Sequence, residues 1–185
     1  MTALVFVDSN VLLYRRDLRE PVKRPLAAAW VEHLWREESG RTSCQVLSEY
    51  YTNATRKLRP GLDADDAWDD VQALLCWHPQ SIDVDLLQNG REIERRFKLS
   101  WWDSLIVASA QSQNCTVLLS EDMQDGATYG GVTVRSPFTL SINEAAASYT
   151  ARTPRSRHPP RGRPRKSVEP AIATESRGRL QTGPC

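Results

Sequence analysis

Apolar and polar positions alternate along this chain in two rhythms, short runs and longer helical periods, until about Ser148. Leu4 to Val7 is an apolar run too short for a helix and reads as a buried strand, after which Ser9-Asn10-Val11-Leu12-Leu13-Tyr14 turns into a helix. Over 23–38 the residues Leu26, Ala29, Trp30, His33 and Leu34 keep a helical spacing, and Gly40 ends it. Thr42-Ser43-Cys44 predicts a short second strand. A helix over 45–58 follows, with Val46, Leu47, Tyr50, Ala54 and Leu58 on its apolar face and Pro60-Gly61 closing it. The next helix, 63–77, starts with Asp63, Asp65 and Asp66, where the helix dipole favours negative charge. After the break at His78-Pro79, the pattern predicts a third strand over 81–84 and helices over 86–97 and 101–113. Strands over 116–119 and 132–134 complete it.

Strands alternating with helices need crossover connections, so the fold class is α/β with a mainly parallel sheet. Ligands of such sheets bind beyond the carboxyl ends of the strands. Asp8 and Asp122 both stand at that edge, each just past its strand.

Beyond Ser148 no period survives and Arg, Pro, Ser and Gly dominate, a composition expected to stay disordered for want of apolar area. The expected organisation is a folded domain over 1–147 and a basic tail over 148–185. The 185-residue length suits one domain with an appendage, and 40 % hydrophobic residues are enough for a core. No apolar run approaches the roughly 18 residues of a membrane span. The first residues, Met1 to Val7, lack the basic and long apolar regions of a secretory signal. Cys44, Cys76, Cys115 and Cys185 form no CxxC or zinc-like spacing, and the first three sit in apolar stretches, as buried thiols of a reduced compartment would. A cytoplasmic protein with no membrane partner is expected. Neither GxGxxG nor GxxxxGK[ST] occurs, which argues against dinucleotide or ATP binding.

The net charge of +1 conceals a division. Residues 151–185 carry nine Lys/Arg and two Glu, a balance of +7, which leaves −6 on residues 1–150. By charge alone an acidic body is a poor partner for nucleic acid.

Four acids then stand out: Asp8, Glu49, Asp103 and Asp122. Each has an ordinary reading. Asp8 can cap the helix beginning at Ser9 or Asn10, Ser100 to Asp103 has the form of a capping box, Glu49 can border an apolar face, and Asp122 can be one more loop acid. Read jointly they point elsewhere. At ~4 Å and an effective dielectric near 20, each pair of like charges costs roughly 4 kcal/mol. Converging carboxylates therefore need protons or cations, and oxygen ligands without Cys or His favour Mg²⁺ or Mn²⁺. Such a site activates water toward a phosphodiester.

Four segments carry these acids: Phe6-Val7-Asp8-Ser9-Asn10-Val11-Leu12, Leu47-Ser48-Glu49-Tyr50-Tyr51, Trp102-Asp103-Ser104-Leu105-Ile106-Val107-Ala108-Ser109-Ala110 and Leu118-Leu119-Ser120-Glu121-Asp122-Met123. In order and spacing, from about residue 3 to 140, they resemble the PIN domain family, and within it the VapC-type ribonuclease toxins of type II toxin–antitoxin pairs. The resemblance implies a three-layer α/β/α fold and a Mg²⁺-dependent endoribonuclease that cleaves RNA with metal-activated water. By the same resemblance Asp8, Glu49, Asp103 and Asp122 are the catalytic, metal-binding acids, and Ser9, Asn10 and Ser120 orient carboxylates or water. Asp122 is preferred to Glu121 because Ser120 stands two residues before it, and Asp125 is an outer-shell candidate. A homodimer and a cognate antitoxin that covers the acidic site are implied as partners.

His33, His78 and His158 are scattered away from the acids, and His33 is expected to pack on a helix face. Arg91, Arg95, Arg96 and Lys98 could hold RNA phosphates or form a solvated face with Glu92 paired to Arg96. Trp101 and Trp102 could stack a base or divide between core and subunit contact. In the tail, Pro160-Arg161-Gly162-Arg163-Pro164-Arg165-Lys166 resembles an AT-hook, suited to the narrow A·T minor groove. Two rival functions follow. One is an inert PIN-like module binding DNA or RNA through its tail; the other is a Mg²⁺-dependent phosphohydrolase with Asp8 as nucleophile, against which Asn10 stands where a second Asp is usual.

Overall fold

The computed structural model of the chain describes residues 3–142; the expected boundary at 147/148 and the whole tail lie outside the described residues. In chain order the elements are β1 (Val5–Val7), α1 (Ser9–Tyr14), α2 (Lys23–Arg36), β2 (Gly40–Arg41), α3 (Cys44–Arg56) and α4 (Ala64–Leu74), which a 3₁₀ turn at Leu75–Trp77 extends. Then come α5 (Val84–Phe97), α6 (Trp101–Ser112), β3 (Val117–Leu119), β4 (Thr128–Tyr129) and β5 (Val132–Arg135).

The strands make one sheet in the order β2-β1-β3-β5-β4, parallel throughout except where β4 meets β5. All of Val5, Phe6 and Val7 are buried. Because successive strand residues face opposite sides, that run shows β1 covered on both faces, as a parallel sheet requires. From β1 the chain crosses to β2 on one side and later to β3 on the other. The rim between β1 and β3 is thus the point where the strand order reverses, where α/β folds place their ligands.

Local chemistry sets the helix starts. Asp8, Ser43, Asp63, Asp83 and Ser100 are the N-caps of α1, α3, α4, α5 and α6, each accepting a bond from a backbone N–H near the helix start. These caps explain two departures from the pattern. The second strand lies at Gly40–Arg41, because Ser43 is already committed to capping Val46 N–H at 3.2 Å. Residues 81–84 form no strand: Asp83 caps Leu86 N–H at 2.8 Å, and Ile82 and Val84 are exposed. Gly40 does not end α2 either. It lies in β2, where a Cβ would stand 2.5 Å from the Trp77 ring. Glu38, at φ 52°, makes the turn after α2.

Three further corrections concern burial and pairing. Helix α2 buries Ala27, Trp30, Val31 and Leu34, whereas Leu26 and Ala29 face solvent, so its inner face is turned from the predicted one. His33 is half-buried, edge-on to Trp30 and bonded to Arg36. Of the cysteines read as buried, Cys115 is buried but Cys44 and Cys76 are exposed. The pattern missed β4, a two-residue strand formed by Gly130 and Gly131, both at positive φ, folding it back on β5.

One buried polar knot ties the helices beside the sheet rim. Asp70 of α4 accepts from Arg15 at 2.9 Å, from Arg16, and from the hydroxyl of Tyr50 on α3. Burial alone would raise its pKa, but Arg16, Tyr50 and Arg15 together hold it below the usual carboxylate range. The knot fixes the end of α1 against α3 and α4, and both α1 and α3 carry predicted site residues. Among the described residues no helix is long and apolar enough to cross a membrane.

Candidate active site

Asp8 stands where β1 ends, one residue past the Val7–Leu119 pair of β1 and β3, and its N–H donates to Leu119 C=O at 3.0 Å. Parallel pairing therefore delivers Ser120 to the same place. The Ser120 hydroxyl donates to Asp8 Oδ2 at 2.7 Å and Asn10 Nδ2 donates to it at 3.0 Å, while Ser9 N–H donates to Oδ1 at 2.6 Å. Two of these residues reach onward to further acids. The Ser9 hydroxyl bonds Glu49 Oε2 at 3.1 Å, and Asn10 Nδ2 also lies 3.2 Å from Asp122 Oδ2. Asp8, Glu49 and Asp122, from three separate stretches of sequence, thus share one hydrogen-bonded cluster with Ser9, Asn10 and Ser120.

Asp103 is placed differently. Its carboxylate accepts from the Ser100 hydroxyl at 2.7 Å and its N–H donates to the same oxygen at 3.1 Å, so the Ser100 cap of α6 holds it with one half of a capping box. No hydrogen bond joins it to Asp8, Glu49 or Asp122. Its helix nonetheless abuts the cluster, because Gln45 Nε2 lies 3.1 Å from Glu49 Oε1 and 3.4 Å from the C=O of Trp102. Gln45 was not anticipated as a site residue; its position one helical turn before Glu49 was the available signal.

Neighbouring acids have other work. Glu121 is paired with Lys23, whose ammonium also reaches Tyr14 Oη at 3.2 Å. Asp125 accepts from Ser136 N–H at 2.9 Å, Thr139 Oγ1 at 3.1 Å and Arg135 Nε at 3.2 Å, and so pins the turn after β5. Both carboxylates are engaged away from Asp8. Of the predicted basic stretch, Arg91 pairs with Glu94 rather than Glu92 with Arg96, and Arg96 lies over the Phe97 ring. Trp101 packs against the core and Trp102 is exposed.

Asp8 is only 4 % exposed, and burial lifts its pKa from 3.8 to about 6. The hydrogen bonds from Ser120 and Ser9 oppose the rise, and the charges of Glu49 and Asp122 add to it. Among the described residues no Lys, Arg or His forms an ion pair with Asp8, Glu49, Asp103 or Asp122. Nor do three or more Asp, Glu, His or Cys side chains come near enough to hold one ion between them. The donor chemistry fits a hard cation: oxygen donors, a carboxylate excess and no ion-paired cation among the described residues. Mg²⁺ keeps several waters and takes one or two carboxylates, so it does not require a closed protein cage.

The sequence profile of the PIN domain matches residues 5–124. The chain belongs to the PIN domain family. No curated protein sequence matches it. Solved structures share the PIN fold at low identity. FitAB bound to an IR36 DNA fragment matches with TM-score 0.56 and 17 % identity over 75 % of this chain and 98 % of that one. VapC20 of Mycobacterium tuberculosis, a toxin cleaving the sarcin–ricin loop, matches with TM-score 0.50 and 20 % identity over 70 % and 98 %. VapBC2 of Rickettsia felis, bound to a DNA fragment from its promoter, matches with TM-score 0.50 and 11 % identity over 72 % and 98 %. The strands and helices that carry Asp8, Glu49, Asp103 and Asp122 all fall within the matched residues of this PIN domain.

Proposed function

We propose that this PIN domain is a Mg²⁺-dependent endoribonuclease and the toxin of a toxin–antitoxin pair. The observation that carries the reading is Asp8: a buried carboxylate at the strand-order switch, flanked by Glu49 and Asp122, with no ion-paired basic side chain among the described residues. Asp8 would anchor the cation, with Glu49, Asp122 and, from the adjoining first turn of α6, Asp103 reaching it through bound waters; Mn²⁺ would serve as well. Bound there, it would supply Lewis-acid stabilisation of the phosphodiester and a water acidic enough to react near neutral pH. The chain's own polar residues do the positioning. Ser120 and Asn10 fix Asp8 Oδ2, Ser9 N–H fixes Oδ1, and Gln45 and the Ser9 hydroxyl hold the two oxygens of Glu49.

The sarcin–ricin-loop toxin and the two-component FitAB and VapBC2 assemblies support RNA as substrate and an antitoxin as partner. A homodimer and a cytoplasmic site of action accompany that reading. The deciding experiment incubates purified protein with total RNA in Mg²⁺ or EDTA and maps new 5′ ends. Cleavage should require Mg²⁺ and fall at least 10²-fold in Asp8→Asn. Equal cleavage by the variant, or a trapped phospho-aspartate, would remove the reading.

A further inference from the structure

A cleft of about 280 Å³ opens directly off the acidic cluster, sharing Asn10 and Asp122 with it and continuing past Leu13 and Asn53 to Lys57. We propose that this cleft is a subsite for one unstacked nucleotide beside the scissile phosphate, with Lys57 as its phosphate contact. The subsite rests on the ribonuclease reading of the acidic cluster.

Helix geometry links the two. Gln45, Glu49, Asn53 and Lys57 follow one another at intervals of four, so they form one stripe along α3 and its C-cap. At 1.5 Å per residue, Lys57 lies about 12 Å along the axis from Glu49. A strand bound at the acids and running along this stripe meets Asn53 first and Lys57 next.

The charges of the cleft single out Lys57. Arg19 also lines it, but its guanidinium is held by Asp17 through bonds of 3.1 and 3.0 Å. Lys57 is exposed and has no ion-pair partner among the described residues. A lysine after the last turn of a helix also complements the dipole, yet that role does not require it to line a cleft that shares Asn10 and Asp122 with the acidic cluster. An acidic body that takes a polyanion needs an uncommitted cation at the mouth of its site, and Lys57 occupies that position. Leu13 and Leu58 give the cleft an apolar wall, and the Asn53 amide offers a donor and an acceptor to a base edge. A cleft of this size admits a splayed base, the form in which single-stranded or looped RNA presents its bases.

The test uses the full chain and a fluorescein-labelled mixed-sequence single-stranded oligoribonucleotide, with binding read by anisotropy in EDTA across a salt series. Lys57→Ala should weaken binding about five- to tenfold and lower the slope of log K against log salt by about 0.7, the share of one phosphate contact on a single strand. Lys57→Arg should restore both, and Arg36→Ala, on α2, should change neither. In Mg²⁺ cleavage assays Lys57→Ala should raise KM and leave kcat near its wild-type value. If Lys57→Ala melts early, Lys57→Gln carries the same measurement. A 4-thiouridine oligoribonucleotide should photo-crosslink within residues 53–58. Wild-type affinity and slope in Lys57→Ala, with Mg²⁺-dependent cleavage intact, would overturn the subsite alone. Absence of Mg²⁺-dependent cleavage in the wild type would instead overturn the ribonuclease reading, whatever the Lys57 variants bind.

Discussion

Asp8 receives bonds from Ser9, Asn10 and Ser120 and still titrates near 6, because burial and the charges of Glu49 and Asp122 outweigh those donors. A carboxyl whose folded pKa is raised stabilises the fold fully below its unfolded value and loses that contribution as pH rises through the folded value. Without metal, ionised Asp8 therefore opposes folding above about pH 6, by at most ~3 kcal/mol at 1.36 kcal/mol per unit. In EDTA at pH 8, Asp8→Asn should raise stability by about 1–2 kcal/mol, a gain that shrinks to nothing below about pH 4. Urea melts of both proteins across that range check it, and a loss of stability at pH 8 would contradict the assignment of strain to this carboxylate. Ser120→Ala removes the bond that most opposes the shift. It should weaken Mg²⁺ binding about tenfold by titration calorimetry, the usual cost of losing a group that orients a ligand.

At the scale of elements, two contacts hold the site's supports in register. Where β2 crosses the 3₁₀ turn, a Cβ on residue 40 would lie 2.5–2.7 Å from three atoms of the buried Trp77 ring. That rigid ring cannot yield cheaply, so Gly40→Ala should cost about 2–3 kcal/mol and lower Tm accordingly. The Asp70 knot joins α1, which carries Ser9 and Asn10, to α3, which carries Glu49. Asp70→Asn would leave Arg15 and Arg16 without their carboxylate and should cost about 2–3 kcal/mol, toward the lower end for a buried pair since Arg16 is partly exposed. Its lowered pKa makes the contribution present above the unfolded value near 3.9 and lost as pH falls through the folded one. The variant's deficit should thus be largest at neutral pH and fade in acid, opposite in sign to Asp8→Asn.

For the whole molecule, the division of charge is the feature to test. Residues 1–150 carry −6 and residues 151–185 carry +7. If the acids do the chemistry, a chain ending at residue 150 should keep its kcat on RNA in Mg²⁺ while binding more weakly and with a shallower salt slope. Loss of function on truncation, with Asp8→Asn harmless, would favour the inert binding module. Mg²⁺ should also stabilise the wild type, by about 2.7 kcal/mol at a hundredfold excess over Kd, and should not do so in Asp8→Asn.

Much of the architecture was legible because its determinants are local. Hydrophobic period and N-caps depend on residues within one or two turns, so α1, α3, α4, α5 and α6 were located within a few residues, and a parallel α/β sheet followed from their alternation. The sequence by itself also determined the acids that matter as candidates and the charge division along the chain. What failed depended on distant partners. Gly40 pairs with Val5 and has no side chain because Trp77 leaves no room for one, and the pairing of Gln80 with Ser43 stops before residues 81–84, where Asp83 caps α5. The inner face of α2 holds Ala27 and Val31 beside Trp30, whose indole donates to Pro137 C=O, over a hundred residues away. Only the tertiary structure decided that Asp8 meets Ser120, Glu49 and Asp122, that Asp103 stays with Ser100, and that Glu121 and Asp125 are spent elsewhere. Hydrogen bonds and Coulomb forces act over a few ångströms of space, and the distance between two side chains is set by the fold, not by their separation along the chain.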